Sequence, residues 1–391
     1  MCDFIPALTF AAVGGTQLDF RTNLLLAVVI GLLLVAYSIG RILKRQPEST
    51  ASPAVVRTFN LRVRSWLLMF AVLVAGFVMG DAALGSTATV VIFGLISFWA
   101  FREFITMTPT RRADHRTLFW TFFLFTPLQY CLVGLGEKFY GLYTVIIPVY
   151  ASLVIPARIA LSGDPKRFLE RAAKIQSGLL ICVYSLSHAP ALMTLGPLTL
   201  SDGTPWVTGR SAEPASQVQT NPDGSVSESP MPPMGEIATE STAKAEPAAE
   251  TNPGRPGSKA GLLFFFILVV QLNDVLQYGW GQLLGKHPIA PSINASRTWE
   301  GFIGGTLTTM LIGSLLVWVT PFQPWEAACM AGAVAVMGSA GSLVMSAIKR
   351  DRGVGDYGTL IVGHAGVLDR IDSMCFAAPI FFHLTRYFFS S

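Results

Sequence analysis

The chain has 391 residues, 51% of them hydrophobic and 13% charged, with 28 Lys and Arg against 24 Asp and Glu. That charged share is about half the roughly 25% of a soluble domain, which excludes an ordinary water-soluble enzyme. Apolar runs of about 17 to 22 residues recur instead, close to the ~20 that a helix needs to cross ~30 Å of hydrocarbon. The expected fold is therefore all-α: a polytopic integral membrane protein with about nine to ten transmembrane helices.

In chain order, spans are expected near Leu24–Gly40, Ser65–Gly80, Leu84–Ala100, Phe119–Leu135, Tyr143–Leu161 and Gln176–Thr194. Four more follow near Leu262–Trp280, Phe302–Thr320, Glu326–Ile348 and Ser373–Phe389. No basic stretch precedes the first run, so no cleavable signal peptide is expected. Basic residues fill alternate connections: Arg41 to Arg64, then Arg102 to Arg116, then Lys166 to Lys174. Short Lys/Arg-rich loops stay cytoplasmic, so with ten spans both termini face outward. The five cysteines show no zinc-ligand spacing, and four lie in or beside apolar runs; they read as small buried apolar residues.

Ser201–Lys259 has a different texture, rich in Pro, Ser, Thr, Ala, Gly and Glu, with eight acids against four bases. Such a stretch cannot bury enough apolar surface to offset its ordering entropy. It is expected to be a disordered, polar, extracytoplasmic linker. It would divide an N-terminal transmembrane region (1–200) from a C-terminal catalytic one (260–391).

Chemistry is expected where charge meets the cytoplasmic side of the membrane, and two segments qualify. In Val269–Gly305, Asn273 and Asp274 interrupt a transmembrane pattern, and an ionisable group inside a span is a functional candidate. In Ser346–Ser373, Ser346, Lys349 and Arg350 share one helical face. Asp356 follows, then the Gly-rich stretch Gly363-His364-Ala365-Gly366, whose backbone can approach phosphate oxygens closely. Asp369 and Asp372, with Arg370 between, put two carboxylates on one face at the start of the last span. Carboxylates beside bases fit a hard cation on a polyphosphate. Positive-inside anchoring would also account for Lys349, Arg350 and Arg352 and is the favoured reading of Arg352, but it does not call for the acids.

These residues resemble the phosphatidate cytidylyltransferases (CDP-diacylglycerol synthases). The family's C-terminal signature is matched in register by Ser346, Lys349, Arg350, Asp356, Gly358, Ile361, Gly363, His364, Gly366, Asp369, Arg370 and Asp372. An upstream family pattern is matched by Asn273, Asp274, Tyr278, Gly285, Lys286, Thr298, Trp299, Glu300 and Gly301. The likeness covers roughly Leu262 to the C-terminus. It extends more weakly to LISFWAFREF (Leu95–Phe104) and Leu186-Ser187-His188.

The resemblance implies transfer of a cytidylyl group from CTP to phosphatidic acid, at the cytoplasmic face of the inner membrane, with Mg²⁺ or another divalent cation. It implies metal ligation by Asp369 and Asp372, with Asp356 and Asp274 as further ligands. Lys349, Arg350, Arg370 and Arg297 would neutralise phosphates, and His364 would donate to a phosphate oxygen or brace its turn. Asn273, Lys286, Ser346, Gly363 and Gly366 would complete substrate binding. The partners implied are CTP, phosphatidic acid and the bilayer; no nucleic acid is expected, and self-association is left open. This chain departs from the family pattern at Gly355, Val362 and Ala365, and at Ser342, where an aspartate is common. A weakened or inactive relative that binds lipid or nucleotide is therefore the alternative. A transporter would spread polar groups along several spans and show an inverted repeat; here the charges pool in two C-terminal segments.

Overall fold

The computed structural model describes residues 20–43, 74, 82–107, 111–208, 255–353 and 366–390. Nine long helices account for most of them. They are α1 (Phe20–Leu43), α2 (Ala82–Met107), α3 (Arg112–Gly134), α4 (Glu137–Ala160) and α5 (Phe168–Thr194), then α6 (Lys259–Leu284), α7 (Trp299–Leu315), α8 (Pro324–Arg352) and α9 (Leu368–Phe389). Six of these helices, α2 to α6 and α8, are long and apolar enough to cross a membrane. The protein is an all-α polytopic membrane protein, with only five short strands among the described residues. The expected span at Ser65–Gly80 lies, apart from residue 74, outside the described residues.

Local sequence accounts for the helix limits. Ser258 opens α6 by accepting the Ala260 N–H at 3.2 Å, and Thr298 opens α7 by accepting that of Gly301 at 3.2 Å. Pro324 stands in the first turn of α8, where the ring costs no intrahelical bond. Lys349, Arg350 and Arg352 crowd its last turn, opposite the negative end of the helix dipole. Gly353 then stops α8 in the left-handed region (φ 68°). Helices α3, α4 and α5 each contain a widened π-helical turn, at Thr121–Phe125, Ile146–Ala151 and Leu180–Ser185. The Thr126 and Ser152 hydroxyls donate to carbonyls five residues back, satisfying acceptors that the wider turns release.

Helices α6 to α9 pack together, and glycines set the closest approach. A Cβ at Gly301 would lie 2.6 Å from the Gln277 carbonyl, and one at Gly305 would lie 2.7 Å from the Gln277 nitrogen. This small-xxx-small pair lets α7 lie against α6 backbone to backbone. Away from the charged end, Phe264, Phe265, Phe266, Phe322, Phe381 and Phe382 are fully buried. Several of these rings pair at 5.1–6.2 Å, an aromatic core that holds α6 and α9 in register.

Both ends of the Ser201–Lys259 segment are anchored. Strands β1 (Leu198–Thr199), β2 (Pro205–Thr208) and β3 (Arg255–Gly257) form a small sheet, β1–β2 antiparallel and β2–β3 parallel. Trp206, the segment's one aromatic, is buried against Gly257, where a side chain would collide with the indole. Helix α6 starts within the same segment, at Lys259. Residues 209–254 lie outside the described residues.

Candidate active site

At one end of the bundle α6 and α8 finish and α7 and α9 begin. A hairpin of β4 (Pro288–Ala290) and β5 (Asn294–Thr298) joins α6 to α7 there, paired Pro288 to Thr298 and Ala290 to Asn294. Two residues one helical turn apart on α8 brace its tip. Arg350 Nε donates to the Ile293 carbonyl at 3.1 Å, and Ser346 Oγ accepts from Asn294 Nδ2 at 3.3 Å. Glu300, in the first turn of α7, closes the base by accepting from the backbone N–H groups of Lys286 and His287 at 3.2 and 3.3 Å. A hydrogen bond from His287 Nδ1 at 2.5 Å holds the Glu300 carboxyl down to about 2.

The hairpin places Arg297, immediately before the α7 cap, between α6 and α8. Its Nη1 donates to Gln277 Oε1 at 2.7 Å, and its Nη2 donates to Asp274 Oδ1 at 3.0 Å and Ser342 Oγ at 2.8 Å. The guanidinium thus bonds to the family-divergent Ser342 and ties it to the transmembrane aspartate. Behind it Gln277 Nε2 donates to Ser339 Oγ at 2.5 Å and Asn273 Oδ1 at 3.1 Å. Asn273, only 1% exposed, donates to the Ala335 carbonyl at 3.3 Å and accepts from Thr309 Oγ1 at 3.4 Å. Its side chain is therefore engaged in joining α6, α7 and α8.

The other carboxylates come from α9. Ser373 Oγ donates to Asp274 Oδ2 at 2.7 Å and approaches Asp372 Oδ1 at 3.4 Å, so one hydroxyl touches both acids. Asp372 Oδ1 also accepts the Ser373 N–H at 2.7 Å. Asp369 pairs with Lys349 Nζ at 2.8 Å, with the two side chains 9% and 19% exposed. Among the described residues no basic side chain forms an ion pair with Asp372.

Sequence spacing put Ser346, Lys349 and Arg350 on one face. In the structure that face divides its work, Ser346 and Arg350 toward the hairpin and Lys349 toward Asp369. Lys286 is exposed. The Arg370 carbonyl accepts from Gln271 Nε2 at 3.4 Å, and Gly366 is buried just before α9. Asp356, Gly363 and His364, with the departures Gly355, Val362 and Ala365, lie outside the described residues. Sequence reasoning missed Gln277, Ser339 and Ser373. The only available signal was a run of polar residues at helical spacing inside apolar helices: Asn273 and Gln277 on α6, Ser339 and Ser342 on α8.

Among the described residues no three Asp, Glu, His or Cys side chains converge as a closed metal cage. A hard divalent cation bound with a polyphosphate does not need one, because one or two carboxylates, substrate oxygens and water complete its shell. Asp274 and Asp372 meet at a common hydroxyl, and Asp372 lacks an ion-pair partner among the described residues. That donor chemistry fits such a cation.

This fold and site define a polytopic membrane protein with a charged, carboxylate-bearing centre near one end of a helix bundle. The cytidylyltransferase family model matches residues 60–388, and the chain belongs to that family. It is 30% identical over 370 residues, 93% of this chain and 97% of the relative, to the uncharacterized protein YnbB of Escherichia coli. It is also 37% identical over 129 residues to the phosphatidate cytidylyltransferase of Mycobacterium leprae, and 36% over 120 residues to that of Staphylococcus haemolyticus. These two matches span 32% and 30% of this chain and 40% and 46% of those enzymes, under half of their length.

Proposed function

We propose that the protein transfers the cytidylyl group of CTP to phosphatidic acid, forming CDP-diacylglycerol and pyrophosphate at the cytoplasmic face of the cell's inner membrane. The observation that carries this reading is the cluster of Asp274, Arg297, Ser342, Asp372 and Ser373 beside the Lys349–Asp369 pair. It combines fixed cations for phosphate oxygens with carboxylates for a divalent metal. The partial matches to named phosphatidate cytidylyltransferases support the choice of substrate.

The chemistry follows from charge. A phosphate oxygen of phosphatidic acid attacks the α-phosphorus of CTP, and the bond from that phosphorus to the oxygen bridging to the β-phosphate breaks. Pyrophosphate leaves with that electron pair. The nucleophile is already an anion, so no strong base is required; the protein's share is positioning and neutralisation of phosphate charge. Arg297 and Lys349 would bind phosphate oxygens, exchanging part of their hold on Asp274 and Asp369. Asp274 and Asp372, with Asp369 one turn before Asp372 on α9, would hold Mg²⁺, and Asp356 is proposed from the sequence pattern alone as a further ligand. When bound, the metal supplies positive charge to the triphosphate. A polar site near the end of apolar helices suits a reaction between a soluble nucleotide and a lipid headgroup.

The test is Asp369→Asn and Asp372→Asn in the purified full-length protein. Each keeps the side chain's size while removing its charge. Each is expected to cost at least ~10²-fold in rate, the scale of losing one electrostatic stabiliser, and to raise the Mg²⁺ requirement; melting should stay nearly unchanged in Asp372→Asn and fall in Asp369→Asn, which loses the Lys349 pair. Full activity in both variants would refute the assignment. A second reading, binding without turnover, draws on Ser342 in place of a carboxylate. It predicts Mg²⁺-dependent CTP binding by wild type with no product.

A further inference from the structure

The first turn of α9 carries Asp369, yet the helix brings no side-chain cap of its own, because Val367 stands at the N-cap position. Its leading N–H groups have no intrahelical acceptors and need others. These come from the N-terminal half of the chain. Glu103, near the C-terminal end of α2, accepts the Val367 N–H on Oε1 at 3.1 Å and the Leu368 N–H on Oε2 at 2.9 Å. Trp99, one turn earlier on α2, donates its indole N–H to Oε1 at 3.1 Å and so fixes the rotamer. The Glu103 residue is 6% exposed. A buried carboxylate is costly unless charge-assisted hydrogen bonds and a helix N-terminus compensate it, and Glu103 has both.

The geometry points to a role beyond packing. Leu368 is covalently next to Asp369, whose carboxylate is held on the α8 side by Lys349. Asp372 and Ser373 lie one turn further along and meet Asp274. The start of α9 is therefore clamped from two sides, its backbone by α2 and its first carboxylate by α8. Gly366 ends the Gly-rich signature stretch, and the clamped Val367 follows it directly in sequence.

We infer that Glu103 is a positioning residue for the α9 carboxylates, coupling the N-terminal helices to the binding of a divalent cation and nucleotide triphosphate. This rests on the proposed function. It gives the Arg-Glu-Phe stretch at 102–104 a part in the site, although the stretch lies 264 residues before Val367 in sequence.

The test uses the full-length protein in detergent or nanodiscs with Glu103→Gln, Glu103→Asp and Glu103→Ala. Three readouts are measured: the Mg²⁺ concentration for half-maximal rate, kcat against KM for CTP, and the rise in melting temperature on adding Mg²⁺ with CTP. Glu103→Gln keeps the shape but turns one acceptor into a donor facing an N–H. It is expected to raise the Mg²⁺ requirement at least fivefold, lower kcat about tenfold and shrink the ligand-induced melting shift; these sizes are set below the ~10²-fold expected for losing a directly acting group. Glu103→Asp, which keeps the charge, is expected to recover much of each loss, and Glu103→Ala to be the most severe. If Glu103→Gln and Glu103→Ala lower only the ligand-free melting temperature, leaving Mg²⁺ requirement and ligand shift at wild-type values, Glu103 is a packing residue and the inference is overturned. The wild-type control separates the two claims. Wild type that binds Mg²⁺ and CTP without forming product overturns the proposed reaction, while the ligand-shift comparison still decides the role of Glu103.

Discussion

Arg297 joins the hairpin to both α6 and α8, and its removal has a calculable cost. Arg297→Ala deletes three hydrogen bonds from one guanidinium, to Gln277, Asp274 and Ser342 at 2.7–3.0 Å. Hydrogen bonds to charged groups contribute about 1.5–3 kcal/mol each, so simple addition gives a ceiling of about 4.5–9 kcal/mol. Two effects lower it. Arg297 and Asp274 side chains are 21% and 26% exposed, so water replaces part of what is lost. The three bonds also belong to one network, whose members do not add. A net destabilisation of about 2–4 kcal/mol is expected, with Arg297→Lys at roughly half of that because an ammonium lacks the planar fork. The assay is reversible unfolding in mixed micelles across the cycle of Arg297→Ala, Asp274→Asn and the double variant. Residues sharing a bond should couple by about 1 kcal/mol or more. Coupling near zero, with Arg297→Ala as stable as wild type, would refute the claim that this cation holds the site together.

Ser342→Asp gives Arg297 Nη2 a second anionic partner beside Asp274. It is expected to leave stability unchanged or higher and to lower the Mg²⁺ requirement, measured as rate against Mg²⁺; an unchanged metal profile would show that Ser342 is not beside the metal. Replacing residues 209–254 with a short Gly/Ser loop, keeping β2 and β3, should leave turnover within a few-fold. Trp206→Ala should instead cost about 3–5 kcal/mol, because it empties a buried aromatic site. Asp114→Ala leaves Arg171 buried without the carboxylate that now meets its Nε and Nη2. Asp164 still meets Nη1 at 3.4 Å, so the cost should fall below the ~3–5 kcal/mol of a wholly uncompensated buried charge, read as a lower melting temperature.

The helices were legible because apolar length is a coarse signal that tertiary packing does not override. Asp274, Arg297, Lys349, Asp369 and Asp372 stood out as charges among oil, and the structure gathers all five near one end of the bundle. What sequence did not show was how the work is divided. Asn273 reads as a polar interruption equivalent to Asp274, but one step around the helix turns it into the α7–α8 contact. Ser346 and Arg350 brace a hairpin too short to register as strands in a sequence read for membrane spans. Glu103 was least legible. Its acceptor role depends on the backbone of a helix more than 260 residues away, and no local periodicity encodes that contact.

The central claim, that this membrane site joins a nucleotide to a lipid phosphate, is tested most directly by following the two ends of CTP. Purified full-length protein is incubated with phosphatidic acid in micelles, Mg²⁺ and CTP labelled at either the α- or the γ-phosphorus. The account predicts that the α-label passes into the lipid phase, while the γ-label appears in water as pyrophosphate in equal amount. Both transfers should vanish without Mg²⁺ and fall at least ~10²-fold in Asp372→Asn. An α-label that never enters lipid, in wild-type protein that melts cooperatively and binds CTP, would contradict it.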